Sequence, residues 1–355
     1  MTEIIAPGSR PKSEYRVSAH LHYWTEMSIA WAYNVSLLFS IALAVLIALP
    51  DAGWSQDSNP AQDNSSGNYT LQMKANLVIL SATVVDRHSA LVSGLDAGDF
   101  QIYEGHVLQQ IKNFSHEDVP VTVGLVIDNS GSMSPKRADV IAAALAFAQS
   151  SNPQDQIFIV NFNEYVKFGL PAEHPFTDNL DQLQLGLSDI RAIGETALYD
   201  AIAAALDHLK LGSCDKKVLI LISDGGDNAS KHTLAQVIEM ARKSAAIIYT
   251  IGIFDDQDGD QNPDVLKRFA KETGGVAFFP ESSKALALIS EGIAHDIRNQ
   301  YTLTYVPLIP KQDGGYRIID VRVSSPKHTR LSVRTRAGYS VPLTLAPLES
   351  GNRLP

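Results

Sequence analysis

The stretch Val121–Met133, VTVGLVIDNSGSM, constrains the fold of this chain more than any other. Apolar residues Val123–Ile127 run without a polar break into Asp128, and a loop of small residues, Ser130, Gly131 and Ser132, precedes a helical pattern starting near Pro135. Such a run has no polar side to offer water, so it reads as a strand covered on both faces of a parallel sheet. Sheets of that kind hold ligands outside the carboxyl ends of their strands. If the loop curls, the Asp128 carboxylate and the hydroxyls of Ser130 and Ser132 converge, and hard oxygen donors of this kind suit Mg²⁺ or Ca²⁺. The same loop in isolation also suits a turn and helix cap, with Ser134 as cap and Pro135 at the first helical position.

Two later stretches extend the pattern. In KKVLILISDGGDN a second apolar run, Val218–Ile222, ends in Ser223 and Asp224, placing another carboxylate at another strand end. In RAIGETALYDAIAAAL, Thr196 stands just ahead of a helix whose Leu198, Ile202, Leu206 and Leu209 share one face. Alone, Thr196 reads as a cap and Asp224-Gly225 as a turn. Together, Asp-x-Ser-x-Ser, then Thr, then Asp resembles the metal-ion-dependent adhesion site of the von Willebrand factor A domain, also the inserted domain of integrins. The resemblance covers about residues 120 to 297 and implies that Asp128, Ser130, Ser132, Thr196 and Asp224 hold Mg²⁺ (or Mn²⁺ or Ca²⁺). It further implies that some of these residues act through water and that a protein partner's acidic side chain completes the shell.

The central segment alternates strand and helix, which predicts an α/β, doubly wound, mostly parallel sheet with helices on both faces, a VWA/Rossmann-like arrangement over residues 119–298. Expected elements after the first strand are a helix at 135–151 with Ile141, Leu145 and Ala148 on one face, a hairpin at Gln156–Gly169 about Asn163-Glu164, and a helix near 179–187. The Thr196 helix and Asp224 strand follow, then a helix at 233–245, a strand at 246–254, a helix at 263–273, a short strand at 276–279 and a helix at 283–298.

The flanks read as β-rich. Leu71–Ile79 alternates, with Leu71, Met73, Ala75, Leu77 and Ile79 expected on one side, and further strands are expected at Ala82–Val85, Phe100–Tyr103 and Val107–Phe114. Few short strands cannot close a core alone. Tyr301–Tyr305, Tyr316–Val323 and Leu331–Thr335 supply more, so residues 68–118 and 299–341 are expected to pair into a small β-sandwich-like domain from which the central one emerges. The ensemble, with GLDAGDFQIYEG, LILISDGGDN and RTRAGYS, is similar over about residues 70 to 341 to bacterial proteins described as von Willebrand factor A-related.

Upstream lie an N-terminal tail (1–27), an uncharged segment (28–50) whose Leu37–Leu49 is densely apolar, and a polar linker, Gln56–Gly67; residues 342–355 form a tail. About 20 apolar residues cross a bilayer as a helix. Residues 28–50 are therefore read either as an uncleaved single-pass transmembrane anchor with 1–27 inside, or as a signal segment cut near Ala52–Ser55. Both place the folded part outside the cytoplasm, in the cell envelope or beyond it.

A net charge of −10 argues against a nucleic-acid partner, which requires a concentrated basic surface. Cys214 is the one cysteine, so no intrachain disulfide can form, and the ten histidines show no zinc-ligand spacing. Asp255–Asn262 places four acids in six residues, but Gln261 stands where an EF-hand needs glycine, so a solvated loop is weighed against a second cation site. No phosphate-loop or nucleophile-elbow motif is present. The expected function is protein binding through a divalent cation rather than catalysis. The alternatives are a structural envelope protein with an incidental ion, and a metal-dependent phosphotransfer or hydrolase enzyme.

Overall fold

Strand β5 (Val121–Asp128) is buried along all eight of its residues, because it lies in the middle of a six-stranded sheet and is covered on both faces. The computed structural model describes residues 77–254, 260–308 and 315–341, all within the second of two units, Gln72–Pro355. The expectations for residues 1–27, 28–50, 56–67 and 342–355, for Leu71, Met73 and Ala75 in the first strand, and for most of the 255–262 loop, lie outside the described residues. Among the described residues no helix is long and apolar enough to cross a membrane.

The central sheet contains β5, β6 (Gln156–Phe162), β7 (Val166–Phe168), β8 (Lys216–Ser223), β9 (Ile247–Gly252) and β10 (Ala277–Phe278), in the order β10-β9-β8-β5-β6-β7. All neighbours are parallel except β7, which returns antiparallel to β6. Helices α1 (Arg137–Gln149), α2 (Leu180–Ser188) and α6 (Ser283–Arg298) pack on one face. On the other lie α3 (Leu198–His208), α4 (Leu234–Ser244) and α5 (Pro263–Thr273). The chain passes from β5 outward through β6 and β7, then resumes on the opposite side at β8. The carboxyl ends of β5 and β8 therefore flank the point where strand order reverses, which is where open α/β sheets bind ligands. Gly124 makes the packing of β5 possible, since a Cβ there would lie 2.4 Å from Phe158 and 2.6 Å from Leu219.

The flanking strands form two four-stranded sheets. One consists, in order across the sheet, of Ser332–Arg334 (β13), Val78–Val85 (β1), Tyr301–Tyr305 (β11) and Ile111–Ser115 (β4). The other consists of Gly338–Ser340 (β14), Tyr316–Val323 (β12), Phe100–Glu104 (β2) and Val107–Gln109 (β3). Leu80, Val84, Phe100, Ile102, Tyr301, Leu303, Ile319 and Val321 share the core between them. Arg298, at the end of α6, pairs with Asp118 (2.7 Å) and Asp155 (2.5 Å), fixing both connections between the layers near one point.

Three local expectations are corrected. The phase of the first strand is inverted: Val78, Leu80, Ala82 and Val84 are buried, while Leu77 and Ile79 are about half exposed. β1 is held between β11 and β13, and pairing rather than the first half's alternation selects the inward face, since a one-residue offset exchanges faces. The helix expected at 135–151 begins with a 3₁₀ turn, Gly131–Lys136, so Ser134 does not cap it, and α1 starts at Arg137. Its core stripe is Val140, Ala143, Ala144 and Phe147, with Ile141, Leu145 and Ala148 at the margin. The single strand expected at Val107–Phe114 breaks at Gln110 into β3 and β4, which belong to different sheets.

Candidate metal centre

The loop after β5 leaves the sheet with its polar groups turned inward. Asp128, Asn129 and Ser130 are all buried, as are Thr196 and Asp224, while Ser132 is half-buried. Asp128 Oδ1 accepts the Ser130 backbone N–H (2.8 Å), which folds the loop back on the strand end. The Ser130 and Ser132 hydroxyls lie 3.2 Å apart, and Ser132 Oγ donates to Asp224 Oδ2 at 2.5 Å. On the strand side, Ser223 Oγ donates to Asp128 Oδ2 at 2.6 Å. Each carboxylate thus accepts from a hydroxyl, Asp128 from Ser223 and Asp224 from Ser132, and Gly226 N–H donates to Asp224 Oδ1 at 3.0 Å.

Thr196 joins through its backbone. Its N–H donates to Asn228 Oδ1 (2.8 Å), and its carbonyl accepts from the N–H groups of Asn228 (3.0 Å) and Ala229 (3.1 Å). The preceding loop is stitched to the Ser130 loop, with Gly131 N–H donating to the Gly194 carbonyl and Ile193 N–H to the Asn129 carbonyl. All five residues singled out in the sequence therefore sit in two adjoining loops and two strand ends at one end of the sheet. Hydrogen bonds connect the side chains of Asp128, Ser130, Ser132 and Asp224, and Thr196 borders them.

Several supporting residues are not evident from the motif. Asn129 is held by Asn161 and by Arg137, whose guanidinium donates to Asn129 Oδ1 at 2.5 Å. Ser223 is the most consequential of them, and its signal is its place immediately before Asp224 in the second strand. Asn228 ties Thr196 to the loop after β8, a contact across 32 residues of sequence that no local pattern announces.

Electrostatically the centre is short of positive charge. Burial, and then the nearby Asp224 carboxylate, push the Asp128 carboxyl up to about 6, against hydrogen bonds from Ser223 and Ser130 that favour its ionised form. Lys136 is turned away, donating to the Ile253 carbonyl. Among the described residues no cluster of three or more His, Cys, Asp or Glu forms, so any ion here would depend on hydroxyl and carbonyl oxygen or water beyond two carboxylates. That donor set fits a hard divalent cation and does not fit zinc. Two buried carboxylates would offset a divalent charge, and neutral hydroxyl oxygens beside them would leave such an ion electrophilic toward a further anionic ligand.

A family model described as "von Willebrand factor type A domain" matches residues 122–292. Among curated proteins, inter alpha-trypsin inhibitor heavy chain 4 of Mus musculus is 28% identical over 217 residues, covering 57% of this chain and 22% of that protein. Inter-alpha-trypsin inhibitor heavy chain H4 of Bos taurus is 26% identical over 206 residues, covering 55% and 22%. The chain thus spans about a fifth of the length of these relatives. Among solved structures, a von Willebrand factor type A protein from Catenulispora acidiphila has a TM-score of 0.46 at 13% identity, covering 76% of this chain and 75% of that one. The pilus adhesin SpaC from Lactobacillus rhamnosus GG has a TM-score of 0.42 at 13% identity, covering 72% and 49%.

Proposed function

Residues 122–292 being a von Willebrand factor type A domain, we propose that this chain binds a protein partner through a divalent cation, Mg²⁺ foremost and otherwise Mn²⁺ or Ca²⁺. Asp128, Ser130, Ser132, Thr196 and Asp224 hold the ion, and an acidic side chain of the partner supplies the remaining ligand. The observation that carries this reading is the placement of two buried carboxylates at the ends of adjacent parallel strands, Asp224 accepting from Ser132 and Asp128 from Ser223. In the absence of a cation that arrangement is electrostatically unfavourable, and the cost is visible in the raised Asp128 carboxyl. A cation relieves it, and the partner's carboxylate is drawn by the charge that the neutral hydroxyls leave uncompensated. The reading places the domain in the cell envelope, anchored through residues 28–50 or released after their cleavage.

Titrating the metal-free protein with Mg²⁺ and Mn²⁺ by calorimetry, and repeating capture of envelope proteins in Mg²⁺ and in EDTA, tests it. Asp128→Ala should abolish both cation binding and cation-dependent capture while the far-ultraviolet circular dichroism is retained, and Thr196→Ala should weaken capture more than stability. A partner held undiminished in EDTA and by Asp128→Ala would refute the bridge. Phosphatase and esterase substrates run in parallel decide the enzymatic alternative, since turnover lost in Asp128→Ala would make the centre catalytic. Absence of any cation binding would leave a structural protein.

A further inference from the structure

We propose that Arg137 is a positioning residue for the metal centre, holding the Asp128–Ser132 loop, through Asn129, in the shape that receives the ion. This rests on the cation-binding reading given above. Asn129 stands between Asp128 and Ser130, is almost wholly buried, and has all four of its polar groups engaged. Its N–H donates to the Phe162 carbonyl at 2.6 Å, and its carbonyl accepts from the Ile193 N–H at 3.0 Å. Its Nδ2 donates to the Ile127 carbonyl (3.0 Å) and to Asn161 Oδ1 (3.2 Å), and its Oδ1 accepts from Arg137 Nη1 at 2.5 Å. That orientation of the amide is the one its neighbours allow, since a guanidinium only donates and a backbone carbonyl only accepts.

The two side chains that grip this amide share a base. Arg137, the first residue of α1, donates through Nη2 to the carbonyls of Leu187 (3.3 Å) and Ser188 (3.1 Å) at the end of α2. Asn161 Nδ2 donates to the Gly186 carbonyl at 2.8 Å, one residue earlier on the same turn. A cation at a helix carboxyl end is explained by the orphan carbonyls and the dipole there. That accounts for the Leu187 and Ser188 contacts and leaves the shortest of the three, to Asn129, unexplained. Charge does not explain it either: these three acceptors are all neutral oxygens, and a guanidinium beside an ion loop repels a divalent cation. What the contact supplies is position. With Asn129 fixed, Asp128 and Ser130 are held on either side of it. The Ile193 N–H on its carbonyl, and the Gly131 N–H on the Gly194 carbonyl at 3.1 Å, carry the same restraint to the loop ahead of Thr196. Groups that orient a metal's ligands without touching the metal cost about 10–100-fold in affinity when removed.

The test is calorimetric titration of the full chain with Mg²⁺ and with Mn²⁺, beside amide hydrogen exchange of the cation-free protein. The sign of the effect separates position from charge. Arg137→Met removes a repelling charge, so a purely electrostatic role predicts tighter binding, whereas the positioning role predicts a loss of at least about tenfold. Arg137→Lys keeps the charge without the fork of donors and should also bind more weakly than the unaltered chain. Exchange at the Gly131 and Ile193 amides should quicken in Arg137→Met before any cation is added. Because Arg137 acts through Asn129, Arg137→Met combined with Asn129→Ala should lose no more affinity than Asn129→Ala alone. Tighter or unchanged cation binding in Arg137→Met, or fully additive losses in the double variant, overturns the proposal. Should Arg137→Met fail to fold, Arg137→Lys decides, and affinity equal to that of the unaltered chain refutes the role. If the unaltered chain itself binds neither ion, the cation-binding reading fails and this role fails with it.

Discussion

Replacing Asp296 by alanine should loosen the contact between the α/β layers and the β-sandwich. Asp296, on α6, is buried and accepts hydrogen bonds from Thr83 Oγ1 on β1 at 2.8 Å and from the Tyr249 hydroxyl on β9 at 3.0 Å, and it pairs with Arg334 on β13. One carboxylate therefore joins the helix, the central sheet and two sandwich strands. Gln300 turns its Nε2 to both hydroxyls, at 3.3 Å to Thr83 and 3.0 Å to Tyr249, and its unpartnered Oε1 away from them, so in Asp296→Ala each hydroxyl proton loses its acceptor as long as that amide keeps its orientation. Thr83 and Tyr249 are almost wholly buried, and each unsatisfied buried donor costs about 1–3 kcal/mol. The Arg334 side chain is 29% exposed, so losing its ion pair adds only about 1 kcal/mol rather than the larger cost of a fully buried pair. The sum is about 5 kcal/mol, a large part of the roughly 5–15 kcal/mol by which a domain is stable. Asp296→Asn, which keeps one acceptor oxygen, should lose about half as much. Urea unfolding of a fragment starting at Gln72, followed by circular dichroism and tyrosine fluorescence, reads this directly. A loss below about 1 kcal/mol for Asp296→Ala would show that the network does not hold the layers together.

Three further outcomes follow from other parts of the structure. Gly124→Ala should destabilise by about 1–3 kcal/mol through overpacking, because its Cβ would lie within 2.8 Å of Phe158 and Leu219; unchanged urea midpoints would mean that the two side chains rotate away freely. Burial lowers the Lys216 pKa to about 8 from 10.5, with the nearby Asp296 charge opposing the shift. The folded state therefore resists the charged lysine: the cost is present below pH 8 and is relieved as pH rises toward 10.5, a gain of about 3 kcal/mol. Lys216→Met should lack that gain, and a stability difference between the two proteins that does not change with pH would contradict it. A fragment lacking residues 1 to 55 should be soluble and folded, since the strands and helices after the linker bury their apolar sides against one another; persistent insolubility in several hosts would count against this division.

Much of the central domain is legible in sequence because its signals are local. The apolar runs Val123–Ile127 and Val218–Ile222 have no polar face, so each specifies a strand covered on both sides without reference to its neighbours. The polar residues at their ends are then placed at the carboxyl-terminal edge of the sheet by the alternation of strand and helix. Leu198, Ile202 and Leu206 likewise give the buried face of α3 correctly, and Leu209 continues it in the turn just beyond the helix. What local pattern leaves open is phase and partnership. Leu77 and Ile79 alternate as well with their neighbours as Val78 and Leu80 do, and only the pairing of β1 between β11 and β13 turns the second set inward. In α1 apolar side chains lie on nearly every side, so packing against α2 and α6 selects Val140, Ala144 and Phe147 over Ile141, Leu145 and Ala148 as the buried stripe. The split of β3 from β4 depends on two different sheets competing for adjacent residues. The hydroxyl of Ser223 on Asp128, the Asn228 contact with Thr196 and the Asp296 network connect residues 32 to 213 positions apart. Chain closure over such distances is decided by the packed tertiary structure, and no periodicity within either segment encodes it.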